Sequence, residues 1–182
     1  MAETSFIAYA GDCLLQARID VPDDRLSDYV NSTGSFVLHD VVLQAHDDGR
    51  LVRRDRLVIP RNEVFAIQAT GLRGSAQRRI TTTSSRMEFV LGAYRVLGLL
   101  HARPGADPVT ALARRQQMVP LTAATIAYHV GRETRLHDIA TLIVNRELVE
   151  SVSEQALDIA FEGMPVLAAS RDAGLRPGSA LA

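Results

Sequence analysis

The chain has 182 residues, of which 47% are hydrophobic and 23% are charged, and its formal net charge is −1. This composition is close to the globular average, so it predicts a packed core and excludes wholesale disorder. Aromatic residues make up only 5% and tryptophan is absent, which leaves few platforms on which the bases of single-stranded nucleic acid would stack.

The first half of the chain predicts a small β-rich unit. Residues 13–21 alternate between apolar and polar positions and therefore predict a strand, which ends at Pro22. Leu26, Tyr29 and Val30 follow an Asp pair at helical spacing, which indicates a single helical turn. Three further strands, separated by a hairpin at 47–50 and a tight turn at 60–62, are predicted at 36–45, 51–59 and 63–68.

The same order of elements recurs in the second half of the chain. A strand at 94–101 precedes a helix that Asp107 caps and Pro108 begins, and this helix is predicted to reach residue 117. Strands follow at 118–126 and 139–144, with a hairpin around 131–133 between them. The segments 57–61 and 142–146 align without a gap. We therefore predict an internal repeat whose copies each contain four or five short strands and one helix.

Two units of this size favour a mainly β fold of two tandem small barrels with a short helix in each. The predicted domains are a first barrel at 1–69, a linker at 70–87 that is rich in Arg, Thr and Ser, and a second barrel at 88–152. Residues 153–182 predict an amphipathic C-terminal helix and a tail. Leu157 and Phe161 lie four residues apart on that helix and are candidate oligomer contacts. The polar face of the helix is acidic, which argues against binding to a membrane surface.

Two segments of the first copy carry a resemblance to a known family. They are 36–41 (Phe-Val-Leu-His-Asp-Val) and 58–64 (Val-Ile-Pro-Arg-Asn-Glu-Val), and 144–147 echoes the second of them. Each copy resembles the Sm-like barrel, although the helix lies inside the copy and Pro60 or Asn145 stands where that family has a turn glycine. The chain is also similar to an uncharacterised bacterial domain family, through residues 26–31 and 53–55, and this second resemblance implies no known activity.

The Sm-like resemblance implies an RNA contact at the turn before the last strand, a role that falls on Arg61, Asn62, Asn145 and Arg146. Arg54 and Arg56 project from one face of a predicted strand and form a basic stripe that suits phosphates. The other interpretation is an edge strand whose charges block aggregation, and the near-neutral total charge favours it. All six residues are therefore candidate contacts for nucleic acid or for a protein partner.

Residues that carry catalytic or metal chemistry are sparse. Cys13 is the only cysteine, which excludes an intramolecular disulfide and fits a reducing compartment. His129 and His137 lie across a predicted hairpin and, with Asp138, offer one candidate metal site, although exposed hairpin histidines are the expectation. The sequence has no nucleophile elbow, phosphate-binding loop or dinucleotide fingerprint, so we predict no catalytic residue and no cofactor.

We expect a cytoplasmic protein, because the N-terminal residues lack the pattern of a secretory signal and no apolar run is long enough to span a membrane. The leading hypothesis is a non-catalytic interaction protein that oligomerises, or docks on a larger complex, through barrel edges and the C-terminal helix. An RNA-binding module is the first alternative. The second is an enzyme whose site forms between barrels or subunits.

Overall fold

The computed structural model describes residues 2–22, 25–69 and 81–155. The secondary structure is mainly β, as the sequence predicts, with short helical segments between some of the strands. No helix within these ranges is long and apolar enough to cross a membrane.

The first half of the chain contributes five strands and one α-helix. The predicted strand at Cys13–Val21 is the second strand and not the first, because residues 2–10 also form a strand. A 3-10 turn at Arg61–Glu63 precedes the last strand, at the predicted tight turn. The elements are β1 (Ala2–Ala10), β2 (Cys13–Val21), α1 (Leu26–Ser32), β3 (Ser35–Ala45), β4 (Leu51–Pro60) and β5 (Val64–Gln68).

The second half contributes the same number of elements, in the same order. They are β6 (Thr83–Leu91), β7 (Tyr94–Ala102), α2 (Pro108–Ala113), β8 (Met118–Val130), β9 (Glu133–Asn145) and β10 (Ser151–Glu154). A 3-10 turn at Arg146–Leu148 again precedes the last strand. Asp107 caps α2 as predicted, since its Oδ2 accepts a hydrogen bond from the backbone N–H of Thr110 at 2.7 Å.

Three predicted boundaries differ from the structure. β6 begins inside the segment 70–87, for which the sequence predicts a linker, because its first residues are polar and exposed and carry no apolar alternation. Helix α2 ends at Ala113 and does not reach residue 117. Residue Glu154 belongs to β10, so the C-terminal helix does not begin there. The rest of that predicted helix, including Leu157 and Phe161, lies outside the described residues.

The ten strands of the described ranges form one antiparallel sheet, in the order β10-β6-β7-β8-β9-β5-β1-β2-β3-β4. The sequence predicts two tandem small barrels, and the structure joins the two sets of five strands into one sheet through the pairing of β5 with β9. Within each set, the last strand lies beside the first, and the remaining strands follow in chain order. The two halves of the sheet therefore have the same strand order.

The third strand of each half bends at one residue with a positive φ angle. In β3 this residue is Asp40, with φ of 50°, and in β8 it is Ala123, with φ of 45°. Beside these residues, the pairings of β2 with β3 and of β7 with β8 both shift register. Such bulges increase strand twist and bend the sheet, so each half curves around its own core.

Two hydrophobic cores lie against the sheet, and the central strands serve both of them. In β1, Phe6, Ala8 and Ala10 pack in the core of the first half, whereas Tyr9 packs in the core of the second half. Met118 and Ile143 of the second half pack in the first core. Because apolar side chains on both faces of β1 are buried, the strand lacks the alternation that marks a half-buried strand.

Candidate functional site

The central joint, our name for the pairing of β5 with β9, is the sheet contact between the two halves. Ala66, Ile67 and Gln68 lie opposite Val144, Ile143 and Leu142, respectively. Ile67 and Ile143 are fully buried there. A hydrogen bond of 3.0 Å from the backbone N–H of Ala69 to the carbonyl of Thr141 extends the pairing by one residue. The joint thus shows how the last strand of one half pairs with the backbone of the fourth strand of the other half.

The basic edge is the outer side of β4, where the strands of the described ranges end. Arg53, Arg54 and Arg56 are all exposed on it, and none of them takes part in an ion pair between described residues. Val58 is 54% exposed on the same strand. A strand that presents unpaired backbone groups and a half-exposed valine is suited to pairing with another strand.

The acidic edge is the other end of the sheet and consists of β10 and the turn before it. Three exposed carboxylates lie along it, those of Glu147, Glu150 and Glu154. The Glu150 side chain accepts a hydrogen bond from the backbone N–H of Gly92, at 3.2 Å, which holds the turn against the neighbouring hairpin. Within the described part of the chain, β10 pairs with β6 alone. The two ends of the sheet therefore carry opposite charge.

The turn residues that were candidates for RNA contact have structural roles. Arg61 donates from Nη1 to the carbonyls of Val30 and Asn31, at 3.4 and 3.0 Å, and so holds the C-terminal end of α1. Asn145 is completely buried and donates from Nδ2 to the carbonyls of Arg61 and Val64, at 3.2 and 3.1 Å.

The sequence placed Arg61 and Asn145 in separate copies, but the structure brings their turns into contact across the central joint. Asn62 is exposed, and Arg146 is half-buried with its Nε unpaired among the described residues. Only Asn62 and part of Arg146 are therefore free to contact a ligand.

The two histidines of the candidate metal site do not come together. His137 lies opposite Ile126 in the hairpin, and His129 is three residues from Ile126 along β8, so the two imidazoles project from opposite faces. His129 Nδ1 instead lies 3.3 Å from the Thr134 hydroxyl. Across the described ranges, no group of three potential metal ligands occurs.

A cluster of tyrosines and histidines, which the sequence analysis does not identify, lies near the central joint. The rings of Tyr9, Tyr94 and Tyr128 contact one another at centroid distances of 5.6 to 5.8 Å. His46 packs against the last two of these rings, and His137 packs against Tyr128. The backbone N–H of Gly131 donates to the carbonyl of His46 at 2.6 Å, so the hairpins of the two halves meet at this cluster.

Burial sets the protonation of this aromatic cluster. It raises the pKa of Tyr9, Tyr94 and Tyr128, that of Tyr128 to about 12, and it lowers the pKa of His46 and His137. Tyr94 donates its hydroxyl proton to the carbonyl of Ala10, and His137 Nδ1 lies 3.4 Å from the Tyr9 hydroxyl. The neutral phenols and imidazoles thus pack against one another and form hydrogen bonds between the halves. The cluster therefore helps to hold the two halves together at the central joint.

Comparison with known proteins adds no relative. No family model matches the chain, and neither the curated proteins nor the solved structures contain a match to it. The function therefore has to be argued from the two edges and the joint themselves.

Proposed function

We propose that this protein is a non-catalytic interaction protein, built from two divergent copies of one small β-barrel unit, that assembles with further chains through its two sheet edges. We also propose that the C-terminal helix takes part in the assembly and that the protein is cytoplasmic.

Equivalent backbone contacts support the duplication. The N–H of Arg61 donates to the carbonyl of Gly34, and the N–H of Arg146 donates to that of Gln117, both at 2.9 Å. The bend residues Asp40 and Ala123 occupy matching places in the third strands. Five strands that curve at such bends are typical of a small barrel, and two copies that share a sheet would explain why neither unit needs a large core.

One observation carries the proposed assembly. The central joint pairs the fourth strand of one half with the fifth strand of the other, whereas the remaining fourth and fifth strands, β4 and β10, end the sheet. Val58 of β4 is 54% exposed, but Ile143, which aligns with it in β9, is fully buried in the core of the first half beside β5. The same kind of strand pairing that satisfies β9 inside the chain is therefore open to β4 from outside it.

Association of different edges is heterologous, since each chain offers one edge and receives the other. Such contacts produce a ring when the rotation between chains closes and a filament when it does not. Because each chain supplies two units, a ring would contain an even number of them.

Light scattering after size-exclusion chromatography of the full chain tests this proposal. We expect a mass that is a multiple of 19.8 kDa and that falls toward one chain when Val58 is replaced by Arg. Ala140→Arg is the matched control, because it adds the same side chain at an exposed position of β9 outside the residues that pair with β5. A chain that stays monomeric at every concentration contradicts the proposal.

RNA binding is the second candidate, and the exposed, unpaired arginines of the basic edge favour it. The roles of Arg61 and Asn145 inside the fold weigh against it. The absorbance ratio at 260 and 280 nm, recorded in the same chromatography, separates the two candidates. Nucleic acid that co-purifies and is lost at high salt would support the RNA alternative, because phosphate contacts weaken as salt rises. For the enzyme hypothesis, no residue set in the described ranges offers support.

A further inference from the structure

We infer that the partner of the basic edge is the acidic edge of a second copy of this chain, paired in the register that places Glu154 of one copy opposite Arg56 of the other. This inference rests on the proposed function, and it adds the identity of the partner, the direction of the assembly and the residue contacts.

The central joint supplies the register. The segments 57–61 and 142–146 align without a gap, and each is followed by a 3-10 turn and the last strand of its half. Ala66, Ile67 and Gln68 of β5 thus correspond to Ser151, Val152 and Ser153 of β10. Transferring the pairing of β5 with β9 to two chains places these three residues opposite Ile59, Val58 and Leu57 of the second copy.

The apolar residues match in this register. Val152 and Val58 come to lie opposite each other, at the position where Ile67 faces Ile143 in the central joint. Val152 is only partly buried by its own chain and Val58 is 54% exposed, so both valines have surface left to bury. Paired β-branched side chains stabilise adjacent strands, which makes this pair the apolar centre of the contact.

One pair of opposite charges matches as well. Ala69 lies beside Thr141 in the central joint, and the corresponding residues of two chains are Glu154 and Arg56. Both of these side chains are exposed in the single chain. Pairing two basic edges would bring like charges together, which is destabilising across strands. Opposite charge therefore selects head-to-tail association over head-to-head association.

One difference from the central joint makes the contact between chains depend on charge. Asn145 links the two turns of the joint through hydrogen bonds to Arg61 and Val64, but the corresponding residue of the basic edge is Pro60. Proline has no donor and cannot make these bonds. The contact between chains lacks two buried hydrogen bonds that the joint has, so the ion pair of Arg56 with Glu154 carries a larger share of the association energy.

Charge reversal in the full chain tests the inference. Arg56→Glu and Glu154→Arg each place like charges in the contact. We expect the dissociation constant of each variant alone to be about tenfold higher than that of the unmodified protein. Arg103→Glu is the control, because it makes the same charge change at an exposed loop residue far along the chain from both edges. Light scattering over a dilution series gives the masses.

Mixing the two variants is the decisive measurement. In the mixture, the basic edge of the Arg56→Glu chain carries an acid that meets the new base of the Glu154→Arg chain. The other edges of these two chains are unmodified and pair Arg56 with Glu154, so the assembly should re-form with the variants alternating. Recovery in the mixture also shows that both variants fold. If the basic edge is instead covered by residues 156–182 of its own chain, mixing restores nothing and the inference is overturned.

The remaining outcomes separate this inference from the proposed function. If the unmodified protein and each single variant all assemble at the same dilution, the proposed register is wrong, while the proposed function stands. Unmodified protein that is monomeric overturns the proposed function itself.

Discussion

Asn145 connects the two halves at the level of a single side chain. Apart from the buried tyrosines, it is the only fully buried residue with a polar or charged side chain among those the structure describes, and its amide makes three hydrogen bonds. In two of them, Asn145 Nδ2 donates to carbonyls of the other half. In the third, Asn145 Oδ1 accepts from the backbone N–H of Glu147 at 3.2 Å. Sequence alone placed Asn145 in a turn of the right type but carried no signal for this role, because the two carbonyls to which it donates are more than 80 residues away.

Replacing Asn145 by Ala should lower the free energy of unfolding by about 2 to 3 kcal/mol, since buried carbonyls are left without donors. Urea unfolding followed by circular dichroism measures the change. Asn62→Ala is the control, because Asn62 is exposed in the equivalent turn, and we expect a change of less than about 0.5 kcal/mol there. Equal effects of the two substitutions would show that Asn145 has no special role in the joint.

His46 and His137 should make the fold sensitive to mild acid. Burial lowers the pKa of both imidazoles in the folded state, and Arg135 lowers that of His137 further, while Asp12 and Asp138 oppose the shifts. The unfolded chain therefore takes up these protons at higher pH than the folded chain. Their stabilising contribution is complete above the ordinary pKa of 6.5 and is lost as the pH falls below it.

We expect the urea midpoint to fall between pH 7.5 and pH 5.5, and to fall less when His46 and His137 are both replaced by Gln. His129→Gln serves as the comparison, because His129 is exposed at the end of its hairpin. A midpoint that is unchanged over this pH range in the unmodified protein would show that the aromatic cluster accepts protons without cost.

At the level of secondary structure, prediction succeeded where turn residues, caps or an apolar pattern mark an element, and it failed where these signals are missing. The hairpins, both helices and the turns at residues 60–62 and 145–147 carry local signals from Asp, Asn, Gly and Pro, and the structure contains them. β1 was not predicted because its side chains are divided between two cores, which removes the apolar period of two residues. β6 was not predicted because it begins with exposed Thr and Ser residues.

The bend in β8 offers a test at the same scale. Ala123 is exposed and has a φ of 45°, a conformation that costs an L-residue about 1 kcal/mol and a β-branched residue more. Ala123→Val should therefore lower stability by roughly 1 to 2 kcal/mol, although valine normally favours strands. Ala140→Val, at an exposed position on the facing strand, should be neutral or stabilising. Thermal unfolding of the pair distinguishes backbone strain from side-chain size.

At the level of the whole molecule, the sequence revealed half of the candidate site. Arg54 and Arg56 were found from their strand spacing, and the structure places both on an exposed edge strand. The acidic edge was missed, because Glu154 was assigned to a helix. A signal was available, since continuing the alignment of 57–61 with 142–146 places residues 149–154 on 64–69, of which Val64–Gln68 form a strand. Strand order, which decides the edges, depends on contacts between distant residues and left no local signal.

The difference between the central joint and the contact between chains predicts a specific response to salt. The joint combines buried isoleucines with the hydrogen bonds of Asn145, so ionic strength should affect it little. The proposed contact has one exposed ion pair, Arg56 with Glu154, beside one valine pair. Charges at a surface are screened over about 10 Å at 0.1 M salt and about 3 Å at 1 M salt.

Raising sodium chloride from about 0.05 to about 1 M should therefore dissociate the assembly while the thermal unfolding temperature of the separated chains changes little. Sedimentation velocity gives the masses, and differential scanning calorimetry gives the unfolding temperature. The double variant Arg56→Glu with Glu154→Arg keeps the ion pair reversed and should dissociate over the same salt range as the unmodified protein. An assembly that grows stronger with salt would point to an apolar contact instead, since salt strengthens apolar association but weakens ion pairs, and would move the contact away from the charged edges.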